Sequence, residues 1–330
     1  MGKFIKRGLV LFTRTFAVWV VAGGVAAFLW PAPFVGVRPW INWFFALTMF
    51  GIGVVLEPRD FERIARQPWI VLLGIAAQFT LMPFGGWALS HVFALPTAIA
   101  VGLILTGSAP GAMASNVMTY ISRGDTAYSV SLTTASTLLC PLMTPGLTWL
   151  LARARMDVPF VKMAMDVIYM VVLPLLAGFG ARRVLGRRLN DIIEVFPAVS
   201  ALFIIVVCAM VIALNRNYLP KLTPLVFAAA VLLNVWGLTA GYAVGALFGL
   251  ERRRRRTLSI EIGMQNAGLG TVLALKHFGE QAAVPAAIFV FICILIPSAL
   301  AGYWQRSNIE DAAAAQTVEA AGVVSEAGWE

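Results

Sequence analysis

The chain has 330 residues, of which 60% are hydrophobic and only 12% charged, and its net charge is +9. Soluble domains carry about 25% charged residues, whereas here no Asp, Glu, Lys or Arg occurs in the runs 15–37, 39–56, 69–122, 126–152, 195–215, 222–250 and 281–305. Runs near 20 residues cross a bilayer as helices, which excludes a water-soluble domain. They do not alternate polar with apolar residues, which excludes a membrane β-barrel, and the bases sit between them, where they set topology rather than mark a nucleic-acid surface.

Proline, glycine and charge clusters divide the runs into ten predicted helices. In chain order these are 14–30, 40–56, 68–90, 96–121, 126–151, 162–181, 196–215, 222–249, 257–276 and 283–305. The run 69–122 is too long for one span, and "SHVFALPTA" (90–98) is its natural break. The opening "MGKFIKRGLVLFTR" has the bases of a signal peptide, but no A-x-A site follows its apolar run, so 1–13 reads as a short cytoplasmic segment before the first helix. With that end inside, the inner loops hold eighteen Lys and Arg and the outer loops seven. Both termini are therefore expected in the cytoplasm of a bacterial inner-membrane protein. Residues 306–330 end in Glu310, Asp311, Glu319, Glu326 and Glu330 with no base after Arg306, and are expected to be a disordered acidic tail.

Ten spans divide into five and five, 14–151 and 162–305, and an odd number per half inserts the second half upside down. The fourth span carries "GSAPGAMASN" (107–116) and the ninth "EIGMQNAGLG" (261–270). Both are interrupted by glycine or proline, and both put polar side chains at mid-depth. Paired broken helices in inverted halves point to a transporter's binding site. Gly51 and Gly53, in contrast, are explained by close helix packing.

Glu261 needs compensation, since a charged side chain at a helix centre costs about 2.5–3.5 kcal/mol on insertion scales. A hard cation would supply it. Oxygen is available from Glu261, from the amides of Gln78, Asn116, Gln265 and Asn266, and from the hydroxyls of Ser115, Ser129 and Thr133. Unwound backbone adds carbonyls, while half-helix N-termini favour an anion. Asp166, one turn inside the sixth span, is expected at an interface or beside a base. Arg252 to Arg256 read as a topogenic, headgroup-facing run. Cys140, Cys208 and Cys293 lie in apolar runs and His91 and His277 near span ends, a pattern without transition-metal spacing. No nucleophile–base set or H-E-x-x-H motif is present, so an enzyme is not expected.

The segments "GSAPGAMASNVMTYISRGD", "SVSLTTASTLLCPLMTP" and "SIEIGMQNAGLG", with "MFGIGVVLEPRDF" and "AAQFTLMP", resemble the bile acid:sodium symporter family, especially its bacterial members, over about residues 14–305. The resemblance implies an all-α polytopic fold of ten transmembrane helices in two inverted five-helix repeats. A panel domain (helices 1, 2, 6 and 7) would face a core domain (helices 3–5 and 8–10), in which the unwound helices 4 and 9 cross. It implies sodium-coupled symport of an organic anion by a monomer, with no cofactor beyond two Na⁺. One Na⁺ would lie at Ser115, Asn116, Ser129, Thr133 and Glu261, the other at Gln78, Glu261, Gln265 and the carbonyls of Ile262 and Met264. Asn266 would face the substrate, with Ala112, Met113, Cys293 and Ile294 around it. Some bile-salt-binding relatives have His-Asn where this chain has Cys293-Ile294, and a Thr can stand at Met113. The anion is therefore bile-acid-like or a smaller carboxylate such as pantoate or a 2-oxo acid. A channel or a transport-dead sensor of the same fold is the alternative.

Overall fold

The structure is a computed structural model that describes residues 15–186, 195–217 and 219–326. The predicted segment 1–13 lies outside them. Among the described residues every regular element is a helix, as expected of a chain whose backbone must satisfy its own hydrogen bonds in lipid.

The first half comprises α1 (Phe16–Leu29), α2 (Pro31–Val35), α3 (Ile41–Val55), α4 (Pro58–Arg66), α5 (Pro68–Val92), α6 (Thr97–Gly107), α7 (Ala114–Ile121) and α8 (Thr126–Ala152). In the second half α9 (Phe160–Val167) runs through a π-helical turn, Ile168–Val172, into α10 (Leu173–Leu185). There follow α11 (Phe196–Asn215), α12 (Leu219–Leu247), α13 (Arg252–Gly263), α14 (Ala267–His277) and α15 (Val284–Glu326). Among the described residues six helical stretches are long and apolar enough to cross a membrane, and a seventh is counted if Val18–Leu29 and Pro31–Val55, bent by 110°, form one span. The protein is thus a polytopic helical membrane protein. The spans predicted at 96–121 and 257–276 are interrupted helices, broken between Gly107 and Ala114 and between Gly263 and Ala267.

α15 is helical as far as Glu326, across most of the stretch whose composition predicts disorder. Alanine is the strongest helix former, and the four-alanine run at 312–315 favours that backbone.

The helices sort into two groups. In the first, α3 packs on α10, and α11 packs on α1 and α3. The second gathers α5, α6, α8, α12, α13, α14 and α15; α9, continuous with α10 of the first group, lies against α8 of the second. Within the first group the α3–α10 approach is very close. A β-carbon at Gly53 would strike the Leu175 carbonyl, and one at Gly178 the Phe50 carbonyl. At Gly51 it would lie 2.5 Å from the Phe196 ring, so both glycines of α3 serve packing as expected.

Where α14 ends, polar links join the two groups. Arg38 Nη1 lies 2.7 Å from Glu280 Oε1, and Asn215 Nδ2 donates to the Glu280 carbonyl at 3.0 Å. Asp166 of α9 lies 2.7 Å from Lys276 Nζ and 2.9 Å from His277 Nε2, which supplies the partner base expected for it.

Gly178→Ala is expected to lower the thermal unfolding midpoint of the detergent-solubilised protein, since overpacking costs about 1–3 kcal/mol. Gly180→Ala, where a β-carbon would meet nothing within 4 Å, should leave the midpoint unchanged or raise it. Equal midpoints would show that the α3–α10 contact is slack.

Candidate functional site

The site is built where the two interrupted helices meet. Gly107 and Pro110 end regular helix after α6, since proline lacks an N–H and glycine costs helix stability. The second break is the short segment Met264–Gln265–Asn266 after Gly263. Gly111 and Gln265 form an isolated antiparallel bridge. Around it Ala112 N donates to the Met264 carbonyl at 2.9 Å, and Asn266 N to the Pro110 carbonyl at 2.8 Å.

Side chains satisfy most of the remaining freed backbone groups. Gly111 N donates to Ser136 Oγ at 3.3 Å, Thr144 Oγ1 to the Ser108 carbonyl at 2.7 Å and Gln78 Nε2 to the Ala109 carbonyl at 3.2 Å. At the second break Asn234 Nδ2 donates to the Gly263 carbonyl at 2.8 Å, and Gln265 Nε2 to the Ile262 carbonyl at 2.7 Å. Asn266 Oδ1 caps α14 by accepting from Leu269 N at 3.2 Å.

Glu261 sits in the last turn of α13, only 2% exposed. Ser115, from the first turn of α7, donates to its Oε2 at 2.6 Å. Ser129, on α8, donates to the same oxygen at 2.9 Å. Thr133, one turn further along α8, donates to Oε1. A β-carbon at Gly111 would lie 2.7 Å from Oε1, so glycine there lets the first break close over the carboxylate. Hydroxyl–carboxylate bonds are charge-assisted and strong, yet they bring no positive charge. Among the described residues no Lys, Arg or His pairs with Glu261.

The predicted sets are gathered unequally. Ser115, Ser129, Thr133 and Glu261 converge. Asn116 lies beside them with a buried Oδ1 that has no hydrogen-bond partner. In the second set Gln78 Nε2 donates to Gln265 Oε1 at 2.7 Å. The acceptor at Ile262 fixes the orientation of the Gln265 amide, which in turn fixes that of Gln78. Gln78 Oε1 is left buried without a donor, and the Met264 carbonyl is engaged by Ala112. Ala112, Met113 and Asn266 line the breaks, half-buried. Cys293 is buried and its thiol donates to the Val290 carbonyl of its own helix at 3.3 Å; Ile294 is half-buried on the same helix.

Several contributors escape the sequence reading. Asn234 is fully buried and holds the end of α13. A lone amide inside the uncharged run 222–250 was the available signal. Arg252 to Arg256 do more than face headgroups. Arg254 Nε lies 3.1 Å from Asp125 Oδ2, Arg253 Nη2 donates to the Gly124 carbonyl at 3.3 Å and Arg256 Nη1 to the Ser122 carbonyl at 3.2 Å. They anchor α13 on the turn that leads into α8, and so fix Glu261 against Ser129 and Thr133.

Fold and site together define a class: a polytopic helical membrane protein whose buried carboxylate lies between two broken helices. The Sodium Bile acid symporter family profile matches residues 43–222. The chain is 36% identical over 293 residues to an uncharacterized sodium-dependent transporter, YocS, of Bacillus subtilis (strain 168), covering 89% of this chain and 91% of that one. It is 35% identical over 299 residues to the probable chloroplastic sodium/metabolite cotransporter BASS1 of Arabidopsis thaliana, covering 89% and 74%. Against sodium/bile acid cotransporter 4 of Mus musculus the figures are 26% over 273 residues, covering 81% and 62%. The chain belongs to the sodium bile acid symporter family, whose relatives here are named as transporters or cotransporters and not as enzymes.

Asn234→Ala removes the donor to a buried carbonyl and is expected to cost about 1–3 kcal/mol, read as a lowered unfolding midpoint in detergent. Thr239→Ala, an exposed hydroxyl on the same helix bonded to its own Val235 carbonyl, should stay within about 0.5 kcal/mol of the parent. Similar midpoints for the two variants would remove Asn234 from the support of the break.

Proposed function

We propose that the protein is a secondary active transporter that couples Na⁺ to the symport of a small organic anion by alternating access. Glu261 carries this reading: it is a carboxylate buried between two helix breaks, with three hydroxyl donors and, among the described residues, no basic partner. Burying an ion costs several kcal/mol unless it is paired, and a cation within the oxygen cluster would complete the balance. The chemistry of the donor set fits Na⁺, since hard cations take oxygen ligands. Asn116 Oδ1 and Gln78 Oε1 are buried acceptors without donors, one beside each predicted ion position. Gln265 Oε1 accepts from Gln78 and retains a second lone pair.

In this reading α6–α7 and α13–α14 are the fourth and ninth of ten spans, crossing at their breaks within two inverted repeats. The group containing α3, α10 and α11 is the panel, and the group containing α13 and α14 is the core. The links Arg38–Glu280 and Asp166–Lys276 then close one mouth between panel and core, and rocking parts them. The loop-charge asymmetry supports cytoplasmic termini in a bacterial inner membrane. The names of the relatives agree on sodium and differ on cargo. Asn266 is the anion's contact, because its Oδ1 caps α14 and its Nδ2 remains to donate. Cys293-Ile294 and Met113 offer the anion little polar contact, which favours a compact carboxylate such as pantoate or a 2-oxo acid alongside bile-acid-like molecules.

Glu261→Ala should abolish stabilisation by Na⁺ in a thermal-shift titration while leaving expression intact; an unchanged Na⁺ response would sink the sodium assignment. Sodium-driven concentrative uptake into vesicles separates symport from a channel or a sensor.

A division of labour between neighbours follows. Asn266→Ala should weaken binding of the carboxylate by roughly 10–150-fold, the loss of one hydrogen bond to a charged ligand, with Na⁺ affinity in the absence of substrate little changed. Gln265→Ala should lower Na⁺ affinity first, and substrate affinity through linkage. Equal loss of Na⁺ affinity in both variants would refute the division.

A further inference from the structure

A buried histidine sits in the seam between the two helix groups, away from the breaks. His277 ends α14, and its side chain is 2% exposed. Its Nε2 lies 2.9 Å from Oδ2 of Asp166 on α9, which continues into α10 of the first group. Oδ1 of the same carboxylate lies 2.7 Å from Lys276 Nζ. His277 Nε2 and Asp166 Oδ2 are close but form no hydrogen bond. The ring nitrogen is therefore beside the carboxylate without being aligned with it.

The surrounding charges decide what a proton on the ring would do. Lys276 already neutralises Asp166, so a charged His277 would set two cations against one carboxylate where water is excluded. Burial is the largest influence and opposes a proton on the ring; Asp166 favours one; Lys276 and Lys162 oppose it. Of the helices packed on α14, α3 and α6 carry no titratable side chain, α11 brings only the thiol of Cys208, and α15, before Tyr303, only that of Cys293. Glu280, the next acid along the chain, is taken by Arg38. Once the seam parts, the ring meets water and takes up a proton as an ordinary histidine does, near pH 6.5.

We propose that His277 is a proton-sensitive latch on the mouth fastened by Asp166–Lys276 and Arg38–Glu280, and that acid opens it. The inference rests on the reading of those links as a closure between panel and core, and adds a regulator to it. A neutral ring is compatible with the packed seam. A protonated ring is accommodated only when the seam parts and water reaches it. By linkage, a group that holds its proton more tightly in the open state shifts the equilibrium toward opening as pH falls. Histidine is suited to this because it changes charge between pH 5 and 8, whereas the lysines and Arg38 keep theirs. The loop charges put this mouth outside, so the signal is external acidity and its effect is to expose the ion and anion positions to that side.

The test measures the separation of the two groups directly. Spin labels go on Trp43→Cys of α3 and Val92→Cys of α5, positions 74% and 77% exposed, one in each group. The native cysteines are all buried, which leaves the introduced thiols to react. Distances are read by double electron–electron resonance on the full chain in detergent, without Na⁺ or substrate, at pH 8 and pH 5.5. The ratio of long to short distances should rise about 10-fold on acidification, the change for a ring that titrates near 6.5 when open and stays neutral when closed. His277→Gln, neutral at both pH values, should hold the ratio constant, with His277→Asn as a second neutral variant if the first folds poorly. Arg38→Gln should keep the pH response. A ratio that stays level or falls in the parent, or that rises equally in the neutral variants, would overturn the latch. Because no Na⁺ is present, that failure leaves the sodium reading to its own test on Glu261→Ala.

Discussion

Two helix breaks at membrane depth leave backbone groups where no water can satisfy them, and each such group costs several kcal/mol if unpaired. The reciprocal bonds Ala112 N to Met264 O and Asn266 N to Pro110 O remove part of that cost for both breaks at once. Everything else at the site depends on this exchange. It brings the start of α7 beside the end of α13, so that Ser115 reaches Glu261 although 146 positions separate them in sequence. It also explains why Gly111 must be small, since the carboxylate occupies the space a side chain would need.

The second requirement is that α13 stay in register with α8, because Ser129 and Thr133 lie on α8 and Glu261 on α13. The turn at 122–125 meets that requirement. Arg253, Arg254 and Arg256 bond to it from α13, and Asp125 N donates to Thr257 Oγ1 at 2.8 Å. Gly124 is pressed between Thr119 and Thr257, where a β-carbon would fall within 2.8 Å of both. A charge run that reads as topology is therefore also the clamp that sets a distance in the membrane interior.

Much of this was legible in local composition. The uncharged run 126–152 coincides with α8, and the predicted span 196–215 with α11. Glycine and proline marked both breaks to within a few residues, because breakers act through their own backbone. The convergence of Ser115, Ser129, Thr133 and Glu261 came from family resemblance, since periodicity says nothing about contacts more than a hundred residues apart. For the same reason Asn234 was missed, and the partners of Asp166 and of the arginine run were not identifiable. The helical backbone of α15 beyond Arg306 went unread because acidity and alanine content point in opposite directions there.

The links at the end of α14 differ in character from those around the 122–125 turn. Arg38 and Glu280 are 49% and 38% exposed, and such a pair is worth about 0–1 kcal/mol and weakens with salt. That one pair sits close to thermal energy: water can replace its bonds almost without loss. Part of what holds the helix group around α3 to its neighbour is thus an ion pair that ambient ionic strength weakens, while the interior carboxylate, shielded by protein, lies beyond the reach of that screening.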